Sequence, residues 1–190
     1  MNSFEEEVEL AVKALSAGKT ILYPTDTIWG IGCDPTNAKA INRIYTIKKR
    51  VDNRNLIILV DHIERLKDYV TEVPDVVYDL IRASDKPLTI VYSSARNLAK
   101  NLLPHDKSIA IRVTSDPFCQ AMIVRFGKAV VSTSANISGE PAALTFAQIT
   151  EPIRQSVDHI VGLYQQQVRQ PKASTIIRMK TSGEFTIIRP

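Results

Sequence analysis

Short apolar runs recur along the chain: "TILY" at 20–23, "NLIILV" at 55–60, "PLTIVY" at 87–92, "SIAIRV" at 108–113 and "KAVVSTSAN" at 128–136. Each run is too short for a buried helix, and the segments between them place apolar residues at helical spacing. Strands that alternate with helices in this way restrict the fold to the α/β class. The tail departs from that rhythm. "STIIRM", "TSG" and "EFTIIR" predict a hairpin turning at Ser182-Gly183, so the sheet is expected to be mixed and partly antiparallel.

The helices carry their own start and stop signals. Ser3 with Glu6 forms a capping box, Phe4, Val8, Ala11, Val12 and Leu15 mark one apolar face, and Gly18 ends the segment. Asn37 caps a second helix whose inner side holds Ala40, Ile41, Ile44, Tyr45 and Ile47. Further helical segments are expected over 61–70, after Pro74, over 117–126 and over 145–155, with a short helix or turn at 95–103 and a strand at 157–161. The polar stretch "YQQQVRQPKA" (164–173) reads as a long surface loop or an interdomain linker.

At 190 residues, with 44% hydrophobic and 23% charged residues, the chain suits one domain that buries a core without metals or disulfides. Cys33 and Cys119 stand far apart in no C-x-x-C pattern, which fits a reducing cytoplasm. The start "MNSFEEEVEL" lacks a basic region followed by an apolar one, and no apolar run approaches the ~18 residues of a membrane span. A net charge of +4 permits a phosphate-bearing partner without requiring one.

Four stretches hold candidate chemistry. "YPTDTIWGIG" (23–32) sets Thr25, Asp26 and Thr27 at a strand's C-terminal end, where α/β sheets commonly bind ligands, and Gly30 and Gly32 permit a close backbone approach. The same residues equally suit a strand-to-turn joint whose hydroxyls satisfy local backbone groups. "IKKRVDNR" (47–54) clusters Lys48, Lys49, Arg50 and Arg54 at an expected helix end. They are either partners of the helix dipole or, with Lys48 and Arg50 pointing together into a cleft, ligands for a polyphosphate. In "VVSTSANISG" (130–139), Ser132, Ser134 and Asn136 fall on one side of an extended chain, a row suited to an oxygen-rich ligand or to an Asx/Ser turn at Ser138-Gly139. In "SIAIRV", Ser108 and Arg112 share a face, and a buried Arg112 needs a carboxylate, either the protein's or a ligand's.

Absent patterns narrow the field. There is no G-x-x-x-x-G-K-[ST], no G-x-G-x-x-G and no G-x-S-x-G. His62, His105 and His159 lie outside the four stretches and read as surface residues, so neither a histidine triad nor a histidine metal site is supported.

Together, "YPTDTIWGIG", the K-x-R of Lys48–Arg50, "PLTIVY", "SIAIRV", "STSANISG" and the late "ASTIIR" resemble the YrdC-like family of threonylcarbamoyl-adenylate synthases, in family order over nearly the whole chain. The resemblance implies one α/β domain over residues 1–190, with a twisted, open, mixed sheet flanked by helices and a concave basic cavity. It implies condensation of L-threonine, bicarbonate and ATP into threonylcarbamoyl-AMP and pyrophosphate, Mg²⁺ being held through the phosphates. A downstream transferase complex would pass the group to tRNA. Carried over, Thr27, Arg112, Ser132 and Ser174 would bind threonine. Lys48 and Arg50 would bind the triphosphate and do the catalytic work, and Arg54, Ser108, Ser134, Asn136 and Arg189 would complete the ATP site. Val51 and Asn55 stand where many members have Pro. Leu59 stands in place of a substrate-side His, and Ala142 in place of a Ser. The alternative is a paralogue that binds tRNA or double-stranded RNA without this activity. A third reading is a relative that transfers a carbamoyl group.

Overall fold

The computed structural model describes residues 2–49, 56–167 and 174–190. Among them nine strands form one sheet: β1 (Ile21–Tyr23), β2 (Gly30–Gly32), β3 (Ile57–Val60), β4 (Leu88–Tyr92), β5 (Ile109–Val113), β6 (Val130–Ser134), β7 (His159–Ile160), β8 (Thr175–Met179) and β9 (Phe185–Arg189). Their order across the sheet is β7-β1-β2-β6-β3-β5-β4-β8-β9. Pairs β1/β7, β3/β5 and β4/β8 are parallel, and the remaining neighbours are antiparallel. The sheet is therefore mixed, as the terminal hairpin predicts.

The helices are α1 (Phe4–Ser16), α2 (Ala38–Ile47), α3 (Leu66–Tyr69), α4 (Asp75–Ala83), α5 (Pro117–Phe126) and α6 (Glu151–Ser156). The expected capping box closes α1: the Glu6 amide donates to Ser3 Oγ at 3.2 Å and the Ser3 amide to Glu6 Oε2 at 2.7 Å. Asn37 Oδ1 caps α2 by accepting from the Lys39 and Ala40 amides. Asp116 caps α5, Pro117 sits in its first turn, and Gly127 ends it at φ 76°. Three expectations were too long. Segment 145–155 breaks into a 3₁₀ turn (Phe146–Gln148) and the short α6, 61–70 into a 3₁₀ turn (Ile63–Arg65) and α3, and 157–161 keeps only two paired residues. Pro152 near the start of α6 explains the first break, because it offers no N–H to a helix entering from residue 148.

The two sheet faces are covered unequally. On one, Leu22, Ile31, Ile58, Ile90, Ile111 and Val131 pack against α2, α3, α4 and α6 in a core that runs across the sheet from β1 to β8. On the other, Ile21, Tyr23, Leu59 and Val130 pack beneath α1 and α5, where Phe4 meets Phe118 edge-on at 6.2 Å. Register extends that second face through Ser132, Ile57, Ala110, Arg112, Thr89, Val91, Ile176 and Arg178. The described helices α1 and α5 stop short of this half, and a cavity opens on it.

The sequence reading of "GIG" as a ligand-approach segment needs correction for Gly32. Gly30–Gly32 is strand β2, paired on both sides. A Cβ at Gly32 would lie 2.4 Å from the Val131 carbonyl oxygen and 2.7 Å from the Tyr23 ring. Gly32 thus lets Tyr23 cross the sheet and donate its hydroxyl to that same Val131 oxygen at 3.1 Å. Gly32→Ala should cost about 3 kcal/mol because backbone cannot yield, and thermal unfolding should fall by about 2–4 °C per kcal/mol. An unchanged midpoint would contradict this packing.

Candidate active site

The cavity on the uncovered half of the sheet has a volume of about 1600 Å³. That exceeds the roughly 300–1,000 Å³ of a single small-ligand pocket. Its apolar lining includes Trp29, Leu56, Val91, Leu102, Leu103, Ile109 and Ile176. Among the described residues its charged lining is Lys100, Lys107, Arg112, Arg178 and Arg189 against one carboxylate, Asp106. Such a surface suits a large anionic ligand with an apolar part.

Of the residues expected at the site, the structure brings Thr27, Ser108, Arg112, Ser132, Ser134, Ser174 and Arg189 into this one lining. They come from the β1–β2 loop, β5 and its approach, β6, the approach to β8, and β9. Arg50 and Arg54 lie outside the described residues.

Arg112 is 4% exposed and stands on β5 between Leu59 of β3 and Thr89 of β4. Its buried charge is met by a protein carboxylate: Nη2 lies 3.0 Å from Asp26 Oδ1. Thr25 and Thr27 are buried beside the cavity, with their hydroxyls 3.0 Å apart and the Thr27 amide donating to Thr25 Oγ1. The sequence left open whether these threonines serve the backbone or a ligand. Thr25 also donates to the Ile28 carbonyl, so Thr25 ties the loop together while Thr27 faces the cavity beside it.

Opposite, Ser174 Oγ accepts from Thr89 Oγ1 at 2.9 Å, and Arg189 donates through Nε and Nη2 to the Ser174 carbonyl oxygen. Thr89 is a site residue that sequence reading missed. Its signal was a lone hydroxyl inside the apolar run "PLTIVY", directly across from Arg112. Ser108 donates to Asp106 Oδ1 at 2.7 Å, and hydrogen bonds from its side chain and backbone hold the Asp106 carboxyl below the usual carboxylate range. Arg178 reaches the same carboxylate at 3.3 Å.

The remaining residues named from the sequence fall in different places. Asn136 is absent from the lining. Its amide N–H donates to Ser134 O, and Nδ2 donates to the carbonyls of Ile137 and Glu140. The chain turns after Ser134, so the two-residue alternation that put Asn136 in the row ends there. Lys48 is also absent from the lining. It is 2% exposed, and Nζ donates to the carbonyl oxygens of Ser134 at 2.5 Å and Asn136 at 2.8 Å. It clamps the end of β6 rather than projecting into the cavity. Leu59 shares Arg112's face but is fully buried beneath α1 and α5, whereas Ala142 does line the cavity. His105 is an exposed residue, as expected, and borders the cavity, whereas His159 is half-buried, with burial lowering its pKa. Trp29 packs against Phe146 and also lines the cavity.

Among the described residues no cluster of three or more His, Cys, Asp or Glu could hold a metal ion. No described helix is long and apolar enough to cross a membrane.

Fold and site define a single α/β domain whose mixed sheet carries an open, cation-rimmed cavity with a buried Arg and a ring of hydroxyls. A family model described as "Sua5_yciO_yrdC: Telomere recombination" matches residues 13–190, and the chain belongs to this family. It is 36% identical over 167 residues to the threonylcarbamoyl-AMP synthase of Pseudoalteromonas translucida, covering 84% of this chain and 89% of that one. It is 32% identical to the enzyme of the same name from Vibrio campbellii, covering 94% and 99%. A crystal structure of P. abyssi Sua5 complexed with L-threonine superposes with a TM-score of 0.88 at 23% identity. It covers all of this chain and 55% of that longer one.

Proposed function

We propose that the chain is an L-threonylcarbamoyl-adenylate synthase, acting in the cytoplasm on L-threonine, bicarbonate and ATP. The observation that carries this reading is the buried Arg112, set with Thr27, Ser132 and Ser174 in the lining of a cavity large enough for an amino acid and a nucleotide together. Arg112 would grip the threonine carboxylate and the three hydroxyls would complete the amino-acid pocket. Ser108, Ser134 and Arg189 would line the ATP side, with Arg50 and Arg54 as further cations. Lys48 would act by fixing the Ser134 and Asn136 carbonyls.

The neutral threonine amine attacks the bicarbonate carbon, one N–H proton leaves with a bicarbonate hydroxyl as water, and a carbamate remains. A carbamate oxygen then attacks the α-phosphorus, and the bond to pyrophosphate breaks. This chemistry needs no side-chain nucleophile. It needs two reactants held in line and cations facing the charge that builds on the leaving pyrophosphate. Mg²⁺ would enter with ATP, held through phosphates and water, consistent with a cavity whose described lining holds one carboxylate. The product would pass to a transferase complex that modifies tRNA.

Pyrophosphate release from ATP should require both threonine and bicarbonate, and Arg50→Ala should lower it by about 10²-fold or more. Screening all twenty amino acids with bicarbonate and finding no release would rule the reading out.

A further inference from the structure

We propose that Asp26 is a positioning residue for the amino-acid site: it holds Arg112 in the orientation that grips the substrate carboxylate, without touching substrate itself. The inference rests on the threonine pocket proposed above.

Asp26 is the one member of Thr25–Ile28 that does not line the cavity. Its side chain is 7% exposed and lies against Arg112, whose side chain is 4% exposed. Its two oxygens look in different directions. Oδ1 faces Arg112 Nη2 at 3.0 Å. Oδ2 lies 3.3 Å from the Thr114 hydroxyl and 3.4 Å from the Ser115 amide, both donors in the segment that follows β5. Thr114 is itself fixed, accepting from the Asp116 amide that opens α5 and donating its own amide to Val60 O. Asp26 thus ties the β1–β2 loop, the end of β5 and the guanidinium into one unit.

Arg112 depends on that unit. Its Nε and Asp26 Oδ1 are both buried without a hydrogen bond among the described residues, so the 3.0 Å ion pair between Arg112 Nη2 and Oδ1 is the charge compensation the described residues supply. A guanidinium stays charged at any relevant pH, so without a partner it must move rather than neutralise. Asparagine cannot replace Asp26. A carboxylate accepts on both oxygens, whereas an amide presents N–H₂ either to Arg112 or to Thr114 and Ser115, and all of these are donors.

The test is isothermal titration of L-threonine, and of threoninol, which lacks the carboxylate, into wild type, Asp26→Asn and Arg112→Gln, alongside steady-state KM values. Asp26→Asn should weaken threonine about tenfold or more, as a misplaced anchoring group does. It should leave threoninol and the KM for ATP within about twofold of wild type. Asp26→Glu should recover part of the loss. Unchanged threonine affinity in Asp26→Asn would overturn the inference. So would tighter binding, which would mean that Asp26 merely competes for the guanidinium. Should Asp26→Asn not fold, Thr114→Val removes one tether while keeping the carboxylate, with Thr114→Ser as control. A threonine affinity in Thr114→Val equal to that control would equally overturn it. If Arg112→Gln itself leaves threonine binding intact, the pocket assignment fails, which is a different result from failure of the Asp26 role alone.

Discussion

Arg112→Gln should abolish threonine-dependent turnover at ordinary substrate concentrations while leaving the ATP side of the cavity able to bind. A bidentate, charge-assisted grip on a carboxylate contributes about 3–4 kcal/mol, so the KM for threonine should rise by about 10²–10³-fold. The same substitution reaches beyond binding. It leaves Asp26 buried against an uncharged partner, and breaking a buried ion pair from one side costs about 3–5 kcal/mol of stability. The two effects separate in measurement. Urea unfolding reports the stability loss, and restoring it with threonine should need far higher concentrations than in wild type. Turnover that survives at near-normal threonine concentration would show that the carboxylate is held elsewhere.

Lys48→Met is expected to cost nearly as much, by a different route. The thioether keeps the buried stem but withdraws the two donors now given to Ser134 and Asn136. Hydrogen bonds from a charged donor contribute about 1.5–3 kcal/mol each, so a loss of about 3 kcal/mol in stability should follow. The damage should concentrate where the clamp acts. The Ser138 amide donates to the Lys48 carbonyl oxygen, so hydrogen exchange over 134–140 should accelerate more than over the rest of the sheet. Because Ser134 lines the cavity, ATP affinity should fall about tenfold or more while threonine affinity changes less. Equal loss at both substrates would assign Lys48 to general stability instead.

These two residues also show where sequence reading reaches its limit. Arg112 was legible because an arginine inside an apolar alternating strand is costly and must be compensated. Which carboxylate compensates it was not, since Asp26 lies far away in sequence and meets Arg112 only when β1 and β5 join one sheet. Lys48 stood out as part of a basic run, but nothing in "IKKR" reveals that its ammonium turns back onto the end of β6. Asn136 was misplaced for a related reason: alternation holds only while a chain stays extended, and the turn after Ser134 ends it.

The sequence by itself determined the alternation of strands and helices, the caps at Ser3 and Asn37, the hairpin at Ser182-Gly183 and the kinds of group available for binding. Those features depend on local periodicity and on neighbours a few residues away. Only the tertiary structure decided that α1 and α5 cover half of one sheet face and leave the other half open. Only it placed Arg189 beside Ser174, Thr89 across from Arg112, and Asp26 behind the guanidinium rather than in the cavity. Strand order decides such placements, and strand order is set by packing across the whole sheet, which no short stretch of sequence contains.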